Sequence, residues 1–571
     1  MYLRKCRKEN HTYWALVESY RTKRGPRQRV VSYLGDLDEC VRAGVEALAQ
    51  DRPRCVQHAL FDADLTPDWQ EVDTGHVVIE HPREFGDWWV GLWLMQKLGL
   101  TEQFENLMPG GKEQVPWSNM AMTSVLCRLC EPSSELRVAE AIYERSPLAD
   151  LFGIPVNRVN DDRLYRTLDR LLPHKEALEK HLRQRIGLLF DVEYDLLLYD
   201  VTSTFFEGAC ARNEQAQRGY SRDQRPDCKQ VNIALVVTRC GLPLGFEVFA
   251  GNTHDSQTVE HIVNTMEKRH GKADRVWVMD RGMASEENLA FLRDGGRRYI
   301  LGTPKAHLRK FEKQLLENDW TTVRDGIEAK ICPAPDGDEV FILCRSAERR
   351  AKEQAIRALF ETRLEAGLTA LQEGCQKRKR KPVDVAKQLG RLLEKSSRAG
   401  KLFHVDVITR DDGFAAVSWT KQQNWNDWAV TSEGCYMLRT NITDWTPETL
   451  WQAYIQLTQA EAAFHIHKSD LSLRPVWHHL EKRVQAHILI CFLAYVLWKT
   501  LGQLCKAAGL GDEPRRVLDE LRQIRVVDVI MTTKTGIRIR RRCITQPSKA
   551  QAILLKRLGV ELPRQLKVTE V

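Results

Sequence analysis

No run of uninterrupted apolar residues in this chain approaches the length needed to span a bilayer. The first residues, Met1-Tyr-Leu-Arg-Lys-Cys-Arg-Lys, lack the apolar stretch of a secretion signal, so the expectation is an intracellular protein with no membrane partner. No internal repeat or low-complexity tract is present, which excludes solenoid arrays. A second cysteine pair is missing too. The lone CxxC, Cys127 to Cys130, has no partner at zinc-finger spacing, and the fifteen cysteines are scattered as expected of reduced, buried thiols. His487 and Cys491 stand one helical turn apart in an apolar run and read as core packing.

What is present is ordinary for folded protein: 43% apolar and 28% charged residues. The 571 residues exceed one core, so about two to four domains are expected. The net charge of +8 suits a polyanionic partner without demanding one.

Residues 1–50 read as a basic β-hairpin arm in which Trp14, Tyr20, Arg21, Arg24, Arg27 and Arg29 interleave aromatics with cations. Residues 51–85, with Pro and Asp and few regular patterns, read as a connector. Helical periodicity dominates 86–190, read as a helical DNA-binding region, where Arg163, Arg166 and Arg170 share one face of an N-capped helix that could enter a DNA groove or be a plain solvated basic side. From 191 to 303 the pattern is strand, strand, strand, helix, strand, helix, strand. Residues 304–430 interrupt it and read as an inserted β-rich subdomain. The core resumes over 431–505, and 506–571 form a basic C-terminal region with Arg538, Arg540, Arg541 and Arg542. The element order is that of an α/β, ribonuclease H-like core, a mixed five-stranded sheet with helices, here interrupted by an insertion and preceded by a helical N-terminal region.

Three carboxylates concentrate the chemistry. Asp200 closes the run Tyr194-Asp-Leu-Leu-Leu-Tyr-Asp, and Asp280 closes Val276-Trp-Val-Met-Asp. Strand-end acids reach ligands at a sheet edge, and in a ribonuclease H-like order these two strands are neighbours. Glu461 lies on a helix-like stretch, with Tyr454 and Lys468 falling within roughly 60° of it on an ideal helix. Gathered acids of this kind hold divalent metal for cutting or joining a phosphodiester.

Tyr454, Glu461 and Lys468 match a tyrosine–arginine–glutamate–lysine signature spaced Y-x2-R-x3-E-x6-K, and by it the chain resembles DDE transposases of the insertion-sequence-four superfamily. Tyr199-Asp-Val-Thr-Ser-Thr-Phe-Phe-Glu-Gly is similar to the segment holding the first aspartate, and Val278-Met-Asp-Arg-Gly-Met to that of the second. Gly219-Tyr-Ser-Arg-Asp-Gln-Arg-Pro-Asp-Cys-Lys-Gln and Leu473-Arg-Pro-Val-Trp-His also resemble the group. Leu457 departs from it, standing at the arginine position, with Arg474 or Arg439 as replacements.

The resemblance implies a cut-and-paste DNA transposase, cytoplasmic and nucleoid-associated. Asp200, Asp280 and Glu461 would be both catalytic residues and ligands of two Mg²⁺ ions about 3.5–4 Å apart, with Mn²⁺ able to substitute. The partners implied are double-stranded DNA (terminal inverted repeats and target) and a second copy of the chain, a homodimer in the synaptic complex. Tyr454, Lys468, Arg222, Arg225, Lys229, Arg281 and Arg474 would contact DNA. Trp419, Trp425 and Trp428 are candidates to hold a flipped base, against the alternative that they pack the insertion's own core.

Overall fold

Three strands open the chain, β1 (Tyr2–Lys8), β2 (His11–Thr22) and β3 (Gly25–Gly35), where two were expected. The extra strand arises because β1 pairs with β2 from Tyr2↔Val17 to Lys8↔His11, giving an antiparallel sheet in the order β1-β2-β3. This computed structural model describes residues 2–8, 11–22, 25–35 and 71–566, except 193, 273, 335, 336, 338, 397 and 398. Residues 36–70, and with them part of the expected arm and most of the expected connector, lie outside the described residues. Within the connector's last stretch, β4 (Val78–Glu84) is a strand, not a loop.

The largest sheet is built from β5 (Leu196–Phe205), β6 (Gln230–Thr238), β7 (Pro243–Ala250), β8 (Val276–Met279), β9 (Arg298–Thr303), β10 (Thr321–Arg324), β11 (Ile327–Pro333), β12 (Val340–Ser346) and, after a hairpin of β13 (Phe403–Thr409) and β14 (Ala415–Lys421), β15 (Cys435–Thr440). Its order is β10-β11-β12-β15-β9-β8-β5-β6-β7, with β8 parallel to both β5 and β9 and every other pair antiparallel. Nine strands therefore stand where five were expected. β12 hydrogen-bonds to β15 from Val340↔Thr440 to Arg345↔Cys435, which carries β10, β11 and β12 into the main sheet.

The segment expected as a β-rich insertion is thereby divided. Its first strands belong to the main sheet, and the remainder is mostly helical: Ala347–Lys377, Pro382–Lys395 and the β13–β14 hairpin, around a core including Leu364, Leu368, Leu371, Val385 and Val417. The Ala347–Lys377 segment is rich in Ala, Glu, Arg and Leu, which lose little freedom in a helix.

Burial on both faces explains the apolar runs of the central strands. Leu196 and Leu198 of β5 enter one core cluster, while Leu197 and Tyr199 enter another on the opposite face. The first cluster centres on the helix Glu481–Ala507, which packs against the helices Trp117–Cys130 and Asp161–Leu171. By length and composition that helix would suffice to cross a bilayer, contrary to the expectation that no segment qualifies, but 78% of its apolar window is buried inside the protein.

The C-terminal region forms a second sheet with β4. Strands β16 (Arg525–Thr532), β17 (Arg538–Ile544) and β18 (Gln565–Leu566) stack in the order β18-β17-β16-β4. Its basic residues are not all free for a ligand: Arg540 and Arg542 pair with buried Asp528, and Arg542 also pairs with Asp150. Burial opposes the Asp528 charge, but the hydrogen bonds from Arg542 and Arg540 outweigh it and hold the carboxyl at about 2.

Candidate active site

The parallel register of β5 and β8 positions the two aspartates. It runs from Leu196↔Val276 to Tyr199↔Met279, so Asp200 and Asp280 follow the last pair on adjacent strands, whose usual separation is about 4.8 Å. Residues two apart share a face, and Leu198 and Val278 point into the core that contains the Glu481–Ala507 helix. Asp200 and Asp280 therefore leave that same face of the sheet. One sequence expectation is corrected here: β5 continues to Phe205, held by β6, so Asp200 sits within its strand and not at its end.

Glu461 comes from the helix Thr458–His465, which packs on β5 and β6 through the buried Ala460, Ala463 and Phe464. The stretch expected as one helix from Tyr454 to Lys468 is three pieces: Pro447–Ile455, Thr458–His465 and a π-helical turn, Ile466–Asp470. Leu457 N–H bonds to Tyr454 O and Ala460 N–H to Leu457 O, three-residue steps that tighten the chain between the first two pieces. Tyr454, Glu461 and Lys468 thus come from three successive pieces and not from one continuous helix. Leu457, at the signature arginine position, is buried in the apolar core, where a guanidinium would have to shed its water.

Electrostatics link the acids. Burial, the largest cause, pushes the half-buried Asp200 carboxyl up to about 7; Asp280 and Glu461 add repulsion, against the Val201 N–H and the Arg222 charge. Tyr454 is raised above the usual phenol range by burial first and then by the charges of Asp280 and Glu461. Asp280 and Glu461 are exposed and make no ion pair among the described residues. The oxygens of the three acids do not close to within 4.8 Å of one another as a set. Unbalanced negative charge on hard oxygen donors, partly open to solvent, fits divalent Mg²⁺ or Mn²⁺.

Gly302 in β9 makes room for this corner. A Cβ there would lie 2.6 Å from the Tyr454 hydroxyl and 3.0 Å from the Arg281 backbone nitrogen. Gly302→Ala is expected to cost about 1–3 kcal/mol through overpacking and to slow turnover by moving Tyr454 and the Asp280–Arg281 backbone. Thermal melting read beside the cleavage rate checks both parts.

Most of the other sequence-derived positions have definite partners. Lys468 and Arg474, residues from two of the quoted motifs, converge on one carboxylate: Asp223, whose side chain is 2% exposed, takes Lys468 Nζ at 2.8 Å and also Arg474. Burial lowers the Lys468 pKa while Asp223 opposes that shift. Arg222 pairs with Asp255, and its backbone N–H bonds to Ser203 Oγ. Asp255 is thus an ion-pair partner, and His254 caps the turn that Asp255 begins. Arg225 pairs with Asp227 and Glu207 and lies 4.9 Å over the Phe205 ring. Lys229 is half-buried, and Arg281 is exposed beside Asp280. Arg439 is held by Glu339 and Glu286. Asp223 is the residue that sequence reasoning missed; its place inside the motif that begins at Gly219 was the available signal.

Several of the cationic and aromatic side chains have packing contacts. Arg163 and Arg170 lie over the Trp117 ring, at 5.8 and 4.6 Å. Trp419 and Trp425 pack on the core of the Ala347–Lys377 subdomain, Trp428 packs on a neighbouring cluster, and Arg309 lies over both Trp425 and Trp428. Cys127 and Cys130 are buried free thiols, and burial pushes Cys127 up to about 12.

The family description "Transposase DDE domain" matches residues 193–497, more than half of the chain. A second description, "IS1634 family transposase, N-terminal domain", matches residues 3–54. No curated protein matches. Among solved structures, a cryo-EM structure of the piggyBac transposase synaptic complex with hairpin DNA is similar at 10% identity and a TM-score of 0.35, over 80% of this chain and 82% of that one.

Proposed function

Because the chain belongs to the transposase DDE domain family, and so carries out DNA transposition by metal-dependent cleavage and strand transfer, we propose that Asp200, Asp280 and Glu461 are its catalytic carboxylates. The observation that carries this reading is the register that ends at Tyr199↔Met279, together with the repulsion that Asp280 and Glu461 exert on Asp200. We read the five strands β7-β6-β5-β8-β9 as the ribonuclease H-like core and the other four as an extension of it. Two Mg²⁺ ions held by the three acids would activate the attacking water or 3′-hydroxyl and stabilise the leaving oxygen.

The chain's own groups orient the DNA. Arg281 offers an exposed cation next to Asp280, and Tyr454 brings a protonated hydroxyl that can donate to a phosphate oxygen. Arg222, Arg225 and Lys229 line the segment that follows β5. Lys468 and Arg474 are fixed in place by Asp223 and present their remaining N–H donors. The partner in this reading is double-stranded DNA carrying terminal inverted repeats, then target DNA. Two ends need two such sites, which a homodimer supplies.

The test incubates the purified chain with DNA bearing the element's terminal inverted repeats. Mg²⁺ or Mn²⁺ is expected to support end cleavage and joining, and chelation to abolish both. Cleavage with no joining of pre-cleaved ends would make it a nuclease; end binding with no cleavage in Mn²⁺ would make it a DNA-binding protein.

A further inference from the structure

Away from the three acids, Glu135, His478 and His487 each bring one ligand atom to within 4.8 Å of the others. They come from distant parts of the chain. Glu135 begins the short turn after the Trp117–Cys130 helix, His478 lies in the segment that follows Arg474, and His487 lies on the buried helix Glu481–Ala507. All three are nearly sealed from solvent: the side chains of Glu135 and His478 are 12% and 6% exposed, and His487 is 6% exposed.

Hydrogen bonding fixes the state of His487. Its Nε2 lies 3.3 Å from the carbonyl oxygen of Leu473, and a carbonyl only accepts, so Nε2 carries the hydrogen. Nδ1 is then a bare lone pair, and it is buried with no hydrogen-bond partner. A histidine braced through one N–H by a backbone carbonyl, with its other nitrogen free, is the form that ligates metal. His478 Nε2 faces Glu135 Oε2 at 3.3 Å. The nearby cation, Arg128, directs its guanidinium at the carbonyls of Leu471, Ser472 and Ser133, not at Glu135.

We propose that Glu135, His478 and His487 bind one Zn²⁺ ion, at a site separate from the catalytic carboxylates. Two imidazoles and a carboxylate in a dry pocket suit zinc better than Mg²⁺, which prefers an all-oxygen, hydrated shell. The orphaned Nδ1 is the buried polar atom that the ion accounts for. The ion would tie the N-terminal helical region to the segment bearing Arg474 and to the central helix. The site is a structural link, distinct from the reaction.

The test uses full-length protein stripped with chelator and titrated with ZnCl₂, read by elemental analysis and thermal melting. One zinc per chain and a higher melting temperature are expected. Zinc should persist in an Asp200→Asn/Asp280→Asn/Glu461→Gln triple variant and be lost from Glu135→Gln and from His478→Gln. Should those single variants fail to fold, Co²⁺ added to the wild type decides, since four-coordinate Co²⁺ in such a site gives intense visible absorption bands that hydrated Co²⁺ lacks. Failure of the stripped wild type to take up zinc, or zinc that disappears only with the three acids, overturns the proposal.

Discussion

Asp200→Asn, Asp280→Asn and Glu461→Gln proteins are each expected to bind transposon ends but to cut them about 10³-fold more slowly, or worse. Metal-supported charge stabilisation is worth several kcal/mol, and about 4 kcal/mol corresponds to that factor. The exchange removes charge while keeping shape, so folding is preserved. Asp200 accepts a hydrogen bond from the Val201 N–H, which an Asn carbonyl oxygen can replace. Asp280 and Glu461 have no ion pair among the described residues whose loss would unsettle the fold. Gel-shift and cleavage assays on the same DNA separate the two effects. If all three variants cut like wild type, the assignment of the site fails.

Asp200→Asn is also expected to stabilise the metal-free protein at neutral pH. Its carboxyl, pushed to about 7 when folded, sits near 4 in the unfolded chain, so the folded state binds the proton more tightly. The sign follows from linkage: the native protein loses stability as pH rises from about 4 to about 7, and the whole penalty is present above that window. Three pKa steps set an upper figure near 4 kcal/mol, and about 2–4 kcal/mol is expected. The substitution should therefore raise the melting temperature at pH 8 and leave it nearly unchanged at pH 4. Mg²⁺ or Mn²⁺ should stabilise the wild type more at pH 8 than at pH 5, because the ion competes with that proton. Equal melting of wild type and Asp200→Asn across this range would contradict the upward shift ascribed to burial and to the neighbouring acids.

These acids were legible in the sequence to different degrees. Residues 196–199 and 276–279 are continuously apolar because both faces of their strands are buried, and that pattern marks Asp200 and Asp280 as the first polar residues after each run. What the pattern hides is that β5 does not stop at Asp200, since Val201 and Thr202 are as compatible with a strand as with its exit. The breaks around Glu461 are hidden for a related reason. Three-residue hydrogen-bonded steps near Leu457 leave the apolar spacing almost unchanged while ending one helix and starting the next.

Long-range pairing was the least legible. Asp223 meets Lys468 and Arg474 across separations of 245 and 251 residues, and no local rule connects them. The same holds for β12, whose place in the main sheet depends on a partner strand beyond the whole helical subdomain. Strand β4 pairs with β16 from the far end of the chain, so a stretch that looks like connector becomes a sheet edge. Family membership, by contrast, rests on a match that runs along residues 193–497.

The most direct measurement is metal-specific rescue of end cleavage in an Asp280→Cys protein. A thiolate binds Mg²⁺ poorly and softer Mn²⁺ better. Activity is predicted to be lost in Mg²⁺ and restored substantially in Mn²⁺, with the wild type active in both. Full activity of Asp280→Cys in Mg²⁺, or equal loss in both metals despite intact end binding, would contradict metal ligation by this carboxylate.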